Sequence, residues 1–257
     1  MNNNIVIPKY KDSPYKKIPD ELLNEYTMNG KIPIFDWFID GRDALHKKIW
    51  DQKYINTFLS QYSIQNIISD NVGRSPYGHK TCKNLLSSFI EYDIKNKNVA
   101  VVGTTSPWIE AILLNLKNNV TTIEYNVPES KVSNLQCKDY FNYFKINKET
   151  YDAIVTFSSI EHSGLGRYGD PLDPNGDIEV MKIIHNNLLK DGLLFWGAPV
   201  GKDALVWNAH RIYGQHRLPL IFNNFEELKW YGYTKNELFN QPVRNWGEQP
   251  VVVLKKT

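Results

Sequence analysis

The chain has little cysteine, almost no excess charge and no long apolar run. Cys82 and Cys137 are its only two cysteines, too far apart for a CxxC pair or a Cys/His zinc spacing. They read as free thiols of a reducing compartment, which excludes a disulfide-stapled scaffold. The formal net charge is +2, and Lys16-Lys17, Lys47-Lys48 and Lys255-Lys256 are only pairs. No dense Lys/Arg run with interleaved aromatics is there to track a phosphate backbone, so a nucleic-acid partner is not expected. No apolar stretch approaches the roughly 20 residues of a membrane span. Met1-Asn2-Asn3-Asn4 is polar where a signal peptide needs an apolar segment. Together these absences point to a soluble, cytoplasmic protein.

What is present is ordinary for a globular chain. Of 257 residues, 42% are hydrophobic and 23% charged, which suits one large domain with an appendage. Aromatic residues reach 13%, with 7 Trp and 15 Tyr. That fits an aromatic-rich core as well as a site where rings stack on a sugar or nucleotide. The abundance of Asn, Lys and Ile is compatible with an AT-rich bacterial genome.

The pattern changes near residue 97. Before it lie the apolar cluster Ile32 to Asp40 and two stretches with helical apolar spacing, Ala44 to Leu59 and Thr81 to Phe89. Between these stretches, Asp70 to Gly78 is turn-rich and reads as a loop. Residues 1–95 are therefore expected to form an N-terminal helical cap, and 96–257 the core. In the core, strand-like and helix-like segments alternate. Val99-Ala-Val-Val reads as a buried parallel strand, and Ser106-Pro107 as the N-cap and first position of a helix. Val120 to Tyr125 and Asp152 to Phe157 are further strands. Asp177 is expected to cap a helix that Gly192 closes, and Leu193 to Trp196 to form the next strand. Phe225 to Tyr233 is expected as a last helix and Pro250 to Leu254 as a closing strand. The fold class is α/β: a Rossmann-like, seven-stranded, mostly parallel sheet with helices on both faces and an N-terminal helical extension. Ligands of such sheets bind at the carboxyl ends of the strands.

Four stretches carry candidate chemistry. Gly103, directly after the first core strand, lets backbone approach a ligand, and the helix behind it aims unsatisfied N–H groups there. An ordinary strand-to-helix turn would look the same, and the GxGxxG dinucleotide fingerprint is missing. Glu124 ends the next strand 21 residues later, where a carboxylate can accept hydrogen bonds from both hydroxyls of a ribose. The loop Ser158 to Asp177 crowds Glu161, His162, Arg167, Asp170 and Asp173 together. His162 can take a proton from an attacking hydroxyl, or serve only as a structural hydrogen-bonding group. Asp170, Asp173 and Asp177 can offer oxygen ligands to a divalent cation, but no full EF-hand loop is present and solvated turn residues are the expectation. Last, His210, Arg211 and Tyr213 follow a later strand. Arg211, with Arg217, can grip a phosphate or carboxylate, or simply pack.

At Val-Val-Gly-Thr-Thr-Ser-Pro-Trp-Ile-Glu-Ala, Thr-Thr-Ile-Glu-Tyr-Asn and Phe-Ser-Ser-Ile-Glu-His-Ser-Gly-Leu-Gly-Arg-Tyr-Gly-Asp-Pro the chain resembles the domain-of-unknown-function family 268. The resemblance spans roughly residues 70–257, and that family is similar to class I S-adenosylmethionine-dependent methyltransferases. The glycine-rich first motif of that class is reduced here to Gly103, and Val101 stands where an acidic residue is common.

The resemblance implies S-adenosylmethionine as cofactor, held by Gly103, Thr104, Thr105, Glu124, Tyr125, Asp139, Ser158 and Glu161. Gly103 would face the methionine moiety, Glu124 the ribose and Asp139 the adenine, with Glu161-His162 turned to the donor methyl. His162 is the first candidate general base and His210 the second, with Asp170 orienting. Arg167, Asp173, Arg211 and Tyr213 would bind the acceptor. The resemblance suggests a hydroxyl of a nucleotide-linked sugar, methylated for a surface polysaccharide. An NAD-dependent oxidoreductase or epimerase on the same topology stays open, as does a catalytically silent binding protein. The oligomeric state is left open as well.

Overall fold

The structure, a computed structural model, describes residues 14–42, 49–146 and 150–257. In chain order its elements begin with α1 (Asp20–Tyr26), β1 (Ile34–Trp37), β2 (Ile49–Trp50), α2 (Gln52–Gln61), α3 (Ile64–Ile68) and α4 (Gly78–Glu91). Next come β3 (Asn98–Val102), α5 (Trp108–Asn115), β4 (Asn119–Glu124), β5 (Glu129–Ser130), β6 (Leu135–Asp139), a π-helical turn (Tyr140–Phe144) and β7 (Tyr151–Phe157). A 3-10 turn (Ile160–His162) then leads to α6 (Gly176–Asn187), β8 (Leu188–Gly197), β9 (Ala204–Asn208) and β10 (His210–Ile212). The chain closes with α7 (Leu218–Ile221), β11 (Phe225–Tyr231), α8 (Lys235–Phe239) and β12 (Val251–Lys256).

The central sheet has seven strands in the order β11-β12-β8-β7-β3-β4-β6. All pairings from β8 to β6 are parallel, and β12 is antiparallel to both β8 and β11. The chain starts in the middle at β3, builds β4 and β6 on one side, then crosses to β7 on the other. A crevice opens where that order reverses.

Period-two alternation within the strands produces two separate cores. Val99, Val101, Ala153, Val155, Phe195 and Val253 face α2, α3, α4 and α5. Ala100, Val102, Ile154, Leu194, Trp196 and Leu254 face the π-helical turn, α6, α7 and α8. This double burial is why the strands read as continuous apolar runs. Helices α2, α3 and α4 belong to the first of these cores: Ile55, Ile67, Leu85 and Phe89 pack with the strands, whereas Tyr26 of α1 packs with Leu165, Leu205 and Trp207. The boundary expected near residue 95 therefore runs through a packed core. A three-stranded sheet, β1-β9-β10, stands apart from the central one.

Several expected elements differ. Helix α2 starts at Gln52, N-capped by Asp51, whose carboxylate accepts the Tyr54 N–H at 2.7 Å. Of the stretch expected from Ala44, residues 44–48 lie outside the described residues, as does the Lys47-Lys48 pair, and Ile49–Trp50 is a strand. Ser106 does not cap α5. Pro107 holds the N-cap position, and the Ser106 carbonyl is taken by the Thr104 hydroxyl at 2.6 Å. Asp177 lies inside the first turn of α6, behind Asn175, because two arginines draw it inward. Gly192 closes no helix, since α6 runs directly into β8 at Leu188 and the left-handed turn residue is Asp191 (φ +60°).

Phe225 to Tyr231 is an edge strand, not a helix. A bulge between Glu227 and Lys229 shifts its register, so Leu228 and Tyr231 pack on one face of the sheet and Phe225 and Trp230 on the other. The extra residue gives a spacing of three that imitates helical periodicity. The helix of this region is α8, which Thr234 and Glu237 open with a reciprocal capping box.

Candidate cofactor and acceptor site

A cleft of about 980 Å³, open mouth included, lies at the carboxyl ends of β3, β4 and β7. That size is typical of a ligand site. Gly103 forms its floor at φ +75°, a conformation that glycine adopts without steric cost. A Cβ there would lie 1.7 Å from Ser159 Oγ, so the turns after β3 and β7 touch backbone to side chain. The Gly103 N–H donates to the Ile123 carbonyl at 3.0 Å, which ties the turn to β4.

Glu124 closes β4 beside this turn. Its Oε1 accepts the Thr104 N–H at 3.1 Å, and its Oε2 accepts the N–H of Tyr125 at 2.6 Å and of Asn126 at 3.4 Å. Burial raises its carboxyl above the usual carboxylate range, against the pull of those three N–H groups. A carboxylate has about four acceptor positions, so with three N–H groups bound about one remains for a hydroxyl in the cleft.

The loop after β7 is arranged by its own polar groups. Ser158 is left-handed (φ +52°), with its N–H on the Gly197 carbonyl at 2.8 Å. Asp170 accepts the N–H of Gly164 at 2.7 Å, Gly166 at 3.3 Å and Tyr168 at 3.2 Å, so its carboxylate organises the glycine-rich stretch. His162 Nδ1 lies 2.6 Å from the Ala209 carbonyl, which also accepts from Arg167 Nη1 at 2.9 Å. A carbonyl can only accept, so Nδ1 carries the proton and Nε2 is the open basic position. Burial, with the Arg167 charge beside it, lowers the imidazole pKa to about 3. Glu161 lies behind His162, 1% exposed, its Oε1 at 3.6 Å from His162 Nε2.

The structure brings Gly103, Thr104, Thr105, Glu124, Tyr125, Ser158, His162 and Asp170 together around the cleft. The other expected residues lie elsewhere. Asp139 accepts the Asn142 N–H at 2.7 Å and caps the π-helical turn one strand further out. Asp173 Oδ1 accepts the Asn175 N–H at 2.8 Å. His210, its pKa lowered to about 4 by burial, stands behind His162 with ring centroids 6.5 Å apart. Arg167 supports the Ala209 carbonyl from outside the cleft lining. Arg211 and Arg217, both 3% exposed, turn inward to Asp177, and the Tyr213 hydroxyl donates to the same carboxylate at 3.0 Å. Sequence reasoning missed Tyr77, Trp108 and Phe157, which form an aromatic wall with centroids 5.1–5.9 Å apart. A large aromatic inside the polar loop 70–78 was the one signal for Tyr77.

Asp170, Asp173 and Asp177 point to three different sets of partners. Among the described residues no group of three or more His, Cys, Asp or Glu side chains is placed to hold a metal. Nor is any helix among them long and apolar enough to cross a membrane.

Residues 96–253 match the family described as "Caenorhabditis protein of unknown function, DUF268". The chain belongs to the DUF268 family. No curated protein matches the DUF268 chain in sequence. Among solved structures, it is similar to the 1,6-didemethyltoxoflavin-N1-methyltransferase of Burkholderia thailandensis, solved with 1,6-didemethyltoxoflavin and S-adenosylhomocysteine bound. The TM-score is 0.52 at 11% identity, over 79% of this chain and 87% of that one. The N-methyltransferase NodS of Bradyrhizobium japonicum WM9, in complex with S-adenosylhomocysteine, gives a TM-score of 0.52 at 13% identity, over 78% and 98% of the two chains. At these identities the DUF268 chain shares with them the Rossmann-like methyltransferase fold.

Proposed function

We propose that this DUF268 protein is an S-adenosylmethionine-dependent methyltransferase acting on a small protic acceptor. The observation that carries the reading is the joint held by Glu124, where one carboxylate braces the Thr104 N–H of the Gly103 turn and still faces the cleft with an acceptor position to spare. The residues fit the cofactor. A ribose hydroxyl would suit Glu124, the adenine would find Ile123, Tyr125 and Tyr140 among the lining residues, and the methionine end would lie against the turn at Gly103. When bound, the cofactor supplies a methyl group that its sulfonium already makes electrophilic. The protein then aligns the acceptor, excludes water with the wall of Tyr77, Trp108 and Phe157, and receives a proton at His162 Nε2.

The acceptor we carry forward is a sugar hydroxyl of a surface-polysaccharide precursor. Among the described residues no lysine or arginine lines the cleft, so a nucleotide diphosphate joined to that sugar would extend beyond it.

Calorimetric titration of the purified protein with S-adenosylhomocysteine, with NAD as the control, tests the reading. The homocysteine nucleoside is expected to bind alone, and Glu124→Ala to weaken it about 10- to 100-fold, the loss of a charge-assisted hydrogen bond. Binding of NAD alone would move the protein to redox chemistry. Binding of neither would leave a silent scaffold.

A further inference from the structure

His162 is well placed to meet an acceptor proton and badly suited to keep it. Its Nδ1–H is committed to the Ala209 carbonyl, and the Arg167 guanidinium stands 3.3 Å from that nitrogen. A cation at that distance disfavours imidazolium. The proton needs a second resting place, and one carboxyl group lies within reach. Glu161 is 1% exposed, its Oε2 has no hydrogen-bond partner among the described residues, and its Oε1 is 3.6 Å from His162 Nε2. A buried carboxyl oxygen left without a partner is costly, and it persists where a function retains it.

We propose that Glu161, acting through His162, is the final acceptor of the proton that the methyl acceptor loses. This rests on the methyltransferase reading and deepens it. The acceptor O–H bond breaks and its electron pair forms the new O–CH3 bond. The C–S pair stays on sulfur, and the proton passes to His162 Nε2 and on to Glu161 Oε1. One positive sulfonium and one negative, buried carboxylate are thereby neutralised together, where separated charges are expensive.

The groups facing Glu161 support this task. The Ser158 hydroxyl, the Ser159 backbone and Arg167 favour its ionised form, yet burial outweighs them and pushes the carboxyl up to about 7. Its remaining neighbours with titratable or charged groups are His162, Tyr77, Tyr168, Tyr213 and Arg211. Tyr77, Tyr168 and Tyr213 are all held above their ordinary range by burial, so they stay neutral at pH 7. Arg211 donates to the Glu161 carbonyl at 3.5 Å. Glu161 is therefore the group of this cluster balanced between its two states near neutrality.

The test needs no acceptor. A cationic sulfonium beside the dyad favours ionised Glu161, so S-adenosylmethionine binding expels a proton that S-adenosylhomocysteine, neutral at sulfur, does not. Calorimetry at pH 7 in two buffers of different ionisation enthalpy counts those protons. The full chain is expected to release up to about half a proton more with S-adenosylmethionine than with S-adenosylhomocysteine. Glu161→Gln should bring the two counts together while keeping S-adenosylhomocysteine binding. If that variant fails to fold, the wild-type protein at pH 9 substitutes, because Glu161 is already ionised there and the difference should vanish. Equal counts for the wild type at pH 7 would overturn the role of Glu161 alone. Failure of both nucleosides to bind would take down the methyltransferase reading and this inference with it.

Discussion

Replacing Asp177 by Asn asks whether Arg211 and Arg217 serve the fold or a ligand. Asp177 is fully buried between them: Arg217 Nε donates to Oδ2 at 2.8 Å, Arg217 Nη2 donates to Oδ1, and Arg211 Nε lies 3.6 Å from Oδ2. Asparagine keeps the shape but removes the charge, which takes from both buried guanidiniums the carboxylate they share and leaves Arg217 only the more distant Asp203. Breaking a buried pair in this way costs about 3–5 kcal/mol, out of the 5–15 kcal/mol typical of a folded chain. For a chain of this size each kcal/mol moves the unfolding midpoint by about 2–4 °C, so the expected loss is about 6–20 °C. Thermal unfolding followed by circular dichroism at pH 7 reads it directly. A loss under about 1 kcal/mol would refute the reasoning and return both arginines to the list of ligand-binding groups. The pH dependence supplies a second check. Burial works to raise the Asp177 carboxyl, but Arg211 and Arg217 win and hold it below its ordinary 3.8. A depressed folded value contributes stability above the unfolded pKa and loses it as pH falls through the folded one. Wild type and variant should therefore converge only in acid, below about pH 4.

Two further outcomes follow at Gly103 and Glu110. Gly103→Ala should destabilise the protein by about 1–3 kcal/mol through overpacking against Ser159, on top of the strain of a left-handed φ of +75°, and Ser159→Gly in the same chain should recover only the packing part of the loss in urea unfolding. Equal loss with and without the second change would disprove the contact. Glu110, fully buried with the Thr122 hydroxyl on its Oε1 at 2.9 Å, has its carboxyl pushed up to about 8 by burial. It is protonated when folded and ionised when unfolded between its ordinary 4.5 and that value, so stability falls as pH rises through this window. Glu110→Gln should therefore gain on the wild type between pH 5 and pH 8, and parallel urea-unfolding profiles would exclude a buried protonated acid there.

The parallel core was legible because its strands are covered on both faces and its glycine and acid fall at the ends of successive strands. Val99 to Val102, Gly103 and Glu124 needed no long-range information. Where the reading missed, a long-range partner decided. Asp177 looks like a helix cap until Arg211 and Arg217, 34 and 40 residues later, arrive beside it. The Phe225 strand looks helical because one bulged residue shifts its alternation, and only pairing with Val251–Lys256 shows that. Tyr77 joins Trp108 and Phe157 across three elements, which no local spacing encodes.

The crowded loop after β7 shows how site residues separate from supporting ones. An irregular segment brought into the interior must find partners for every backbone N–H and carbonyl. Asp170 serves three of its N–H groups, and Arg211 serves the carbonyls of Glu161, Ser163, Asp173 and Pro174. The Tyr26 hydroxyl takes the Gly164 carbonyl, and the Gly41 N–H takes that of Arg167 at 2.8 Å, so the segment around α1 and β1 clamps the same loop. In the sequence Arg211 reads as an acceptor-binding group and Asp170 as the residue that orients the base. Both side chains hold loop backbone. Once those commitments are subtracted, the loop positions left with capacity include Arg167 Nε, Glu161 Oε2 and His162 Nε2, and of these only the last two belong to groups that can take up a proton. An unspent proton-accepting position in a loop whose other carboxylates are committed to backbone is a stronger mark of chemistry than the density of charged residues, and it assigns the proton to the Glu161–His162 pair.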